Sequence, residues 1–179
     1  MAEAKSLFKI SLVIFATLYL CFLIQTSVFN HFEMAGIEPN LILVSVVAFG
    51  YLKGRRFGLI VGFLGGLLLD MFIGSYFGMN ALILMYIGYL NGLIRLFYFG
   101  DDIKFPLFLL AFSDILYGLA VFAALFFMRL REDLSFYMKA VIIPEAVYTV
   151  IVGIIGYLLI GVAVRWADKQ EKRATREIA

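Results

Sequence analysis

Six apolar stretches make up most of this chain, at residues 7–29, 41–52, 57–73, 79–98, 105–128 and 140–164. Short clusters of charged and turn residues separate them, and each stretch predicts a helix. A bilayer crossing takes about 20 apolar residues. The first, fourth, fifth and sixth stretches meet that length. The second and third are shorter and are divided only by Lys53-Gly54-Arg55-Arg56. They predict a tight helical hairpin that tilts, thins the bilayer locally, or stops short of a full crossing.

Composition sharpens the class. Apolar types form 64% of the 179 residues and charged types 16%, so a soluble domain of this length could not bury that apolar surface. Mean hydropathy, at +0.99, agrees. Charge then orients the helices. With six crossings and both termini inside, all of the 15 Lys and Arg residues except Arg129, Arg131 and Lys139 fall on the inner side. That is the positive-inside pattern, and five crossings would put the basic tail outside. The expected fold is therefore an all-α membrane protein with six transmembrane helices and cytoplasmic termini. Residues 1–164 form one helical membrane domain, and 165–179 form a charged cytoplasmic tail suited to solvent, anionic lipid or a cytoplasmic partner.

The polar residues within apolar stretches are the candidate chemistry. Asp70 stands inside the run GFLGGLLLDMFIG, near the C-terminal end of its helix. Hydrocarbon disfavours the charge by several kcal/mol on contested scales that start at about +2.5, and the negative helix end adds to that. Asp70 therefore requires a protein partner. Asn80, or free backbone N–H groups at the start of the fourth helix, fit that role as a clasp between the third and fourth helices. Gln25, Asn40, Asp70, Asn80 and Glu145 all fall at similar depth near the outer side, which predicts a polar clasp or an outward pocket. Glu145 follows Pro144, a pairing suited to the first turn of a helix. Asp114 lies deeper, about 15 Å into the fifth stretch at 1.5 Å per residue. Asn91 reads as an interhelical hydrogen-bond group.

Gly58, Gly62 and Gly66 sit four apart and make a smooth stripe on one helix face. Such a stripe admits another backbone closely, for packing within the chain or for docking a partner's single helix.

Other chemistries lack their residues. The single histidine, His31, has no metal-ligand cluster with it, and no nucleophile–base arrangement is placed to react. Cys21 lies in an apolar run and has no second cysteine to pair with. Glu132 and Asp133 share an outer loop with Arg129 and Arg131, which reads as surface pairing. The expectation is no enzyme, no cofactor, no metal and no nucleic-acid partner, because the basic residues are dispersed markers of topology.

One family resemblance follows from these residues. Gly62-Phe63-Leu64-Gly65-Gly66-Leu67-Leu68-Leu69-Asp70, then Gly74, Gly78, Ala81-Leu82 and Gly88-Tyr89-Leu90-Asn91-Gly92, resemble the MreD family of bacterial rod shape-determining membrane proteins. Pro39-Asn40-Leu41-Ile42-Leu43, the Lys53–Arg56 hairpin and Pro144-Glu145 are similar to it as well, although Asn40 stands where many relatives have Asp. The resemblance implies a non-enzymatic scaffold of the cell-elongation complex in the bacterial inner membrane. Its implied partner is MreC, which has one membrane helix. Beyond MreC lie the MreB cytoskeleton and the pair of RodA and its transpeptidase partner, which builds lateral peptidoglycan. The implied fold is similar to the S components of energy-coupling-factor vitamin transporters. A substrate-binding subunit of such a transporter is the alternative function, with the outward polar cluster holding the ligand.

Overall fold

The computed structural model describes residues 2–27, 38–72, 76–97, 104–127 and 137–176. Six α-helices account for nearly all of these: α1 (Ala2–Ser27), α2 (Leu41–Lys53), α3 (Arg55–Phe72), α4 (Met79–Phe97), α5 (Lys104–Phe127) and α6 (Ile143–Arg176). A π-helical turn, Met138–Ile142, leads directly into α6. No strand occurs among the described residues. Gly74 and Ser75 of the turn after α3, His31, and the charges Arg129, Arg131, Glu132 and Asp133 lie outside the described residues.

Among the described residues, four helical stretches are long and apolar enough to cross a membrane: Ile10–Ser27, Met79–Leu96, Lys104–Phe126 and Met138–Trp166. The 13 residues of α2 reach only about 20 Å, against a hydrocarbon core of about 30 Å. α2 is not a lipid-facing helix at all. Every residue from Leu41 to Tyr51 is buried, and α1, α3, α4, α5 and α6 all pack against it. A helix apolar on every side belongs in a core, and α2 is the core of this bundle.

The surrounding helices each bury one stripe. On α1 it is Ile10, Ile14, Leu18, Phe22 and Gln25, spaced at three and four residues. Leu12, Phe15, Tyr19 and Leu20 on the opposite face are at least 59% exposed. That inverted pattern, with large apolar side chains outward, is what a lipid solvent permits.

The most extensive pairing is α3 with α4. A Cβ at Gly58 would meet the Gly88 carbonyl, one at Gly62 would meet the Leu84 carbonyl, and one at Gly66 would meet the Ala81 backbone. The reverse holds too: a Cβ at Gly88 would meet the Gly58 carbonyl. The Gly58, Gly62 and Gly66 stripe is therefore filled by α4 of the same chain, which closes it to a separate docking helix. Gly65, on another side of α3, meets Ile42 and Leu18 side chains.

The last helical run starts before Pro144, not at it. Proline lacks an N–H and crowds the carbonyl four residues earlier, so a wider π turn just ahead relieves both demands. At the other end α6 continues without a break through Arg176, beyond the exposed Trp166.

Candidate functional site: two capped helix starts and a buried carboxylate

The Asn40–Thr149 bond sets the start of α2 beside the start of α6, and the Asn80–Tyr117 bond ties the start of α4 to α5. A helix start exposes N–H groups that need acceptors, and burial makes each omission costly. Both α2 and α4 begin inside protein, and both are capped by side chains.

At α4 the acceptor is Asp70. Its Oδ2 accepts from the backbone N–H of Gly78 and of Ala81, each at 3.0 Å, and its Oδ1 accepts from the Asn80 N–H at 3.1 Å. The residue is only 4% exposed. The Met79 N–H turns back to the Tyr76 carbonyl at 3.3 Å. The dipole of α3 disfavours a carboxylate at its C-terminal end, but the positive end of α4 and three N–H donors outweigh that. Gly78 has φ of +94°, a left-handed backbone that turns its N–H toward Asp70 and enters α4. The Asn80 side chain does not cap the helix. Its Oδ1 instead accepts from the Tyr117 hydroxyl of α5 at 2.8 Å.

At α2 the acceptors come from three places. Gln25 of α1 offers Oε1 to the N–H of Leu41 at 3.0 Å and of Ile42 at 3.4 Å. Asn40 is the N-cap, with its Oδ1 accepting from the Leu43 N–H at 3.0 Å. Its own N–H donates to Thr149 Oγ1 of α6 at 3.0 Å. First, second and last helices are thus tied at one point. At the far end of α2, Arg95 Nη1 of α4 donates to the Leu52 carbonyl, a cation at a C-terminus.

Four of the five polar candidates fall into two pairs. Gln25 and Asn40 meet at α2, while Asp70 and Asn80 meet at α4. Glu145 belongs to neither cap. It lies on α6 near Asp114, and Glu145, Asp114 and Asp70 all approach Tyr117. Asp114 therefore belongs to this end of the bundle rather than standing apart. Tyr117, three residues after Asp114 and a candidate partner for it by sequence, donates to Asn80 instead. Thr149 is the residue that sequence reasoning missed, and its one signal is its place a turn after Glu145.

Asp114 is 2% exposed, and neither carboxylate oxygen has a hydrogen-bond partner. The Thr149 hydroxyl is a polar neighbour. Elsewhere Asn91 Nδ2 donates to Ser113 Oγ at 2.8 Å and to the Ile87 carbonyl at 2.9 Å, joining α4 to α5. No group of three or more His, Cys, Asp or Glu suited to a metal ion occurs among the described residues.

A separate groove of about 290 Å³ runs between α1 and α6 over α2. Its walls are apolar apart from Thr17, and they include Cys21, Val44, Gly156, Leu159 and Ala163.

Polar side chains turned inward as helix caps, under a lipid-compatible exterior, define a polytopic helical membrane protein. The chain belongs to the MreD family: the model for the rod shape-determining protein MreD matches residues 6–165, most of its length. It is thus a rod-shape-determining membrane protein. No curated protein and no solved structure matches it.

Proposed function

We propose that this chain is a non-enzymatic scaffold of the cell-elongation complex, crossing the bacterial inner membrane six times with both termini in the cytoplasm. In this reading it binds MreC and, through MreC, links to MreB, RodA and the transpeptidase partner of RodA to regulate lateral peptidoglycan synthesis. The family match over residues 6–165 carries the reading. The direction of the polar groups supports it. Gln25, Asn40, Asp70 and Asn80 are all used in holding helices to each other. A protein whose polar groups fasten its own frame is suited to presenting a fixed surface.

The single helix of MreC needs an apolar face on this chain. The α3 glycine stripe is filled by α4, so the groove between α1 and α6 is the face we assign to it. Small side chains at Thr17, Cys21, Gly156 and Ala163 suit close helix approach there. Ala163→Phe fills the groove from a position that faces lipid on one side. It should cut co-purification of the MreC-like partner at least several-fold while leaving a monodisperse, thermally stable chain. Undiminished pairing would remove the groove assignment, and failure of the unaltered chain to pair would remove the MreC reading itself.

A further inference from the structure

We propose that Asp114 is a proton-binding site, and that the bound proton is what lets α5 and α6 close on each other at this level of the bundle. The site stands whether or not MreC is the partner.

Donors are what Asp114 lacks. An ionised carboxylate has about four acceptor positions to fill. Asp114 is 2% exposed with both oxygens unpartnered. The hydroxyls around it have few hydrogens to give. Tyr117 donates its single hydrogen to Asn80 Oδ1. Thr149 already accepts from the Asn40 N–H, and its one hydroxyl hydrogen is all it can offer Asp114.

Charge points the same way. From α6, Glu145 places a second carboxyl beside Asp114. Around Tyr117, Asp70 at the end of α3 and Tyr137 ahead of the π turn add only acidic groups. α2 and α4 contribute Asn40 and Asn80, which do not titrate. Lys139 on the π turn and Lys104 at the far end of α5 are exposed. A buried anion left without a partner costs several kcal/mol. A proton removes that cost and turns Asp114 into a donor, with the Thr149 oxygen as its polar neighbour. Nothing larger is required, since packing is tight on either side: Gly118 meets the Ile142 side chain, and Gly153 meets the Leu110 side chain.

The site has a consequence for the fold. Thr149 links Asp114 to the cap of α2, so loss of the proton would press like charges apart at the point where α2, α5 and α6 meet. The folded state holds a proton that the unfolded chain has already lost well below neutral pH, so raising the pH favours unfolding.

Infrared spectroscopy on the full chain in lipid nanodiscs, isotope-labelled at the aspartate carboxyl carbons, tests this. Exposed aspartates are ionised at neutral pH, and both Asp70 oxygens already accept from backbone N–H donors. The expected result is one labelled carboxylic-acid band at neutral pH, slow to exchange in heavy water and absent from Asp114→Asn. The thermal stability of the unaltered chain should fall toward alkaline pH, and Asp114→Asn should lessen that fall. A spectrum of the unaltered chain with no protonated aspartate at neutral pH overturns the proposal, whether or not the variant folds. So does a band that persists in Asp114→Asn. A band that disappears as sodium replaces choline at constant ionic strength also overturns it, by assigning the site to a metal cation.

Discussion

The Asp70 carboxylate caps a helix to which it does not belong. Its charge sits at the unfavourable end of α3 and is stabilised only because α4 starts against it. Asp70→Ala should therefore strand buried N–H groups of Gly78, Asn80 and Ala81. The expected loss is about 2–4 kcal/mol, combining a missing cap with unsatisfied donors. Asp70→Asn keeps one acceptor oxygen and should recover about half. Reversible unfolding in mixed detergent reads both values, and equal losses for Ala and Asn would contradict the capping account. Gly78 makes a second residue-scale test. Its Cβ position is open, yet φ is +94°. Gly78→Ala should cost about 1–2 kcal/mol from backbone strain alone. Asp70 was legible as a residue needing shelter, because hydrocarbon cannot solvate a carboxylate and only protein donors can replace water there. Asp114 was legible as buried but not as a neighbour of Glu145. No rule of spacing links two residues on helices separated by a long connection.

Among elements, α2 and α3 differ most from the lipid-facing helices, and for different reasons. α2 is short because protein surrounds it and no bilayer thickness has to be matched. α3 reaches further but carries Arg55 and Arg56 at one end and Asp70 near the other. Its glycines set the distance to α4. Gly62→Leu would drive a side chain into the Leu84 carbonyl, which is backbone and cannot swing aside. The expected cost is more than about 4 kcal/mol, the exceptional end of single substitutions. The variant should fail to accumulate as a monodisperse species in size-exclusion chromatography. An intact Gly62→Leu monomer with unchanged stability would mean that α3 and α4 do not meet this closely. Helix number and approximate ends followed from the apolar lengths and the charge clusters. The enclosure of α2 did not, because an apolar run of this kind reads the same whether lipid or protein surrounds it. The early start of the last helical run was hidden for a related reason. Pro144 is a usual opening residue, and only the packing of Ile142 against Gly118 shows helix extending ahead of it.

At the scale of the whole molecule, the proposed six-crossing arrangement makes a direct prediction about sidedness. After Cys21→Ser removes the native thiol, single cysteines at Lys5, Lys53 and Lys169 should react with membrane-impermeant maleimide only in inverted vesicles. A cysteine at Lys139 should react only in right-side-out vesicles. Labelling of Lys53→Cys and Lys139→Cys from the same side would break the alternation of helices. The arrangement also bears on biogenesis. The start of α2 is completed by Gln25, made before it, and by Thr149, made more than a hundred residues after it. A nascent chain halted before α6 leaves the Asn40 amide with no acceptor, however well its other helices have inserted. The junction therefore closes only once α6 has been made, which separates a copy interrupted before that helix from one that contains it.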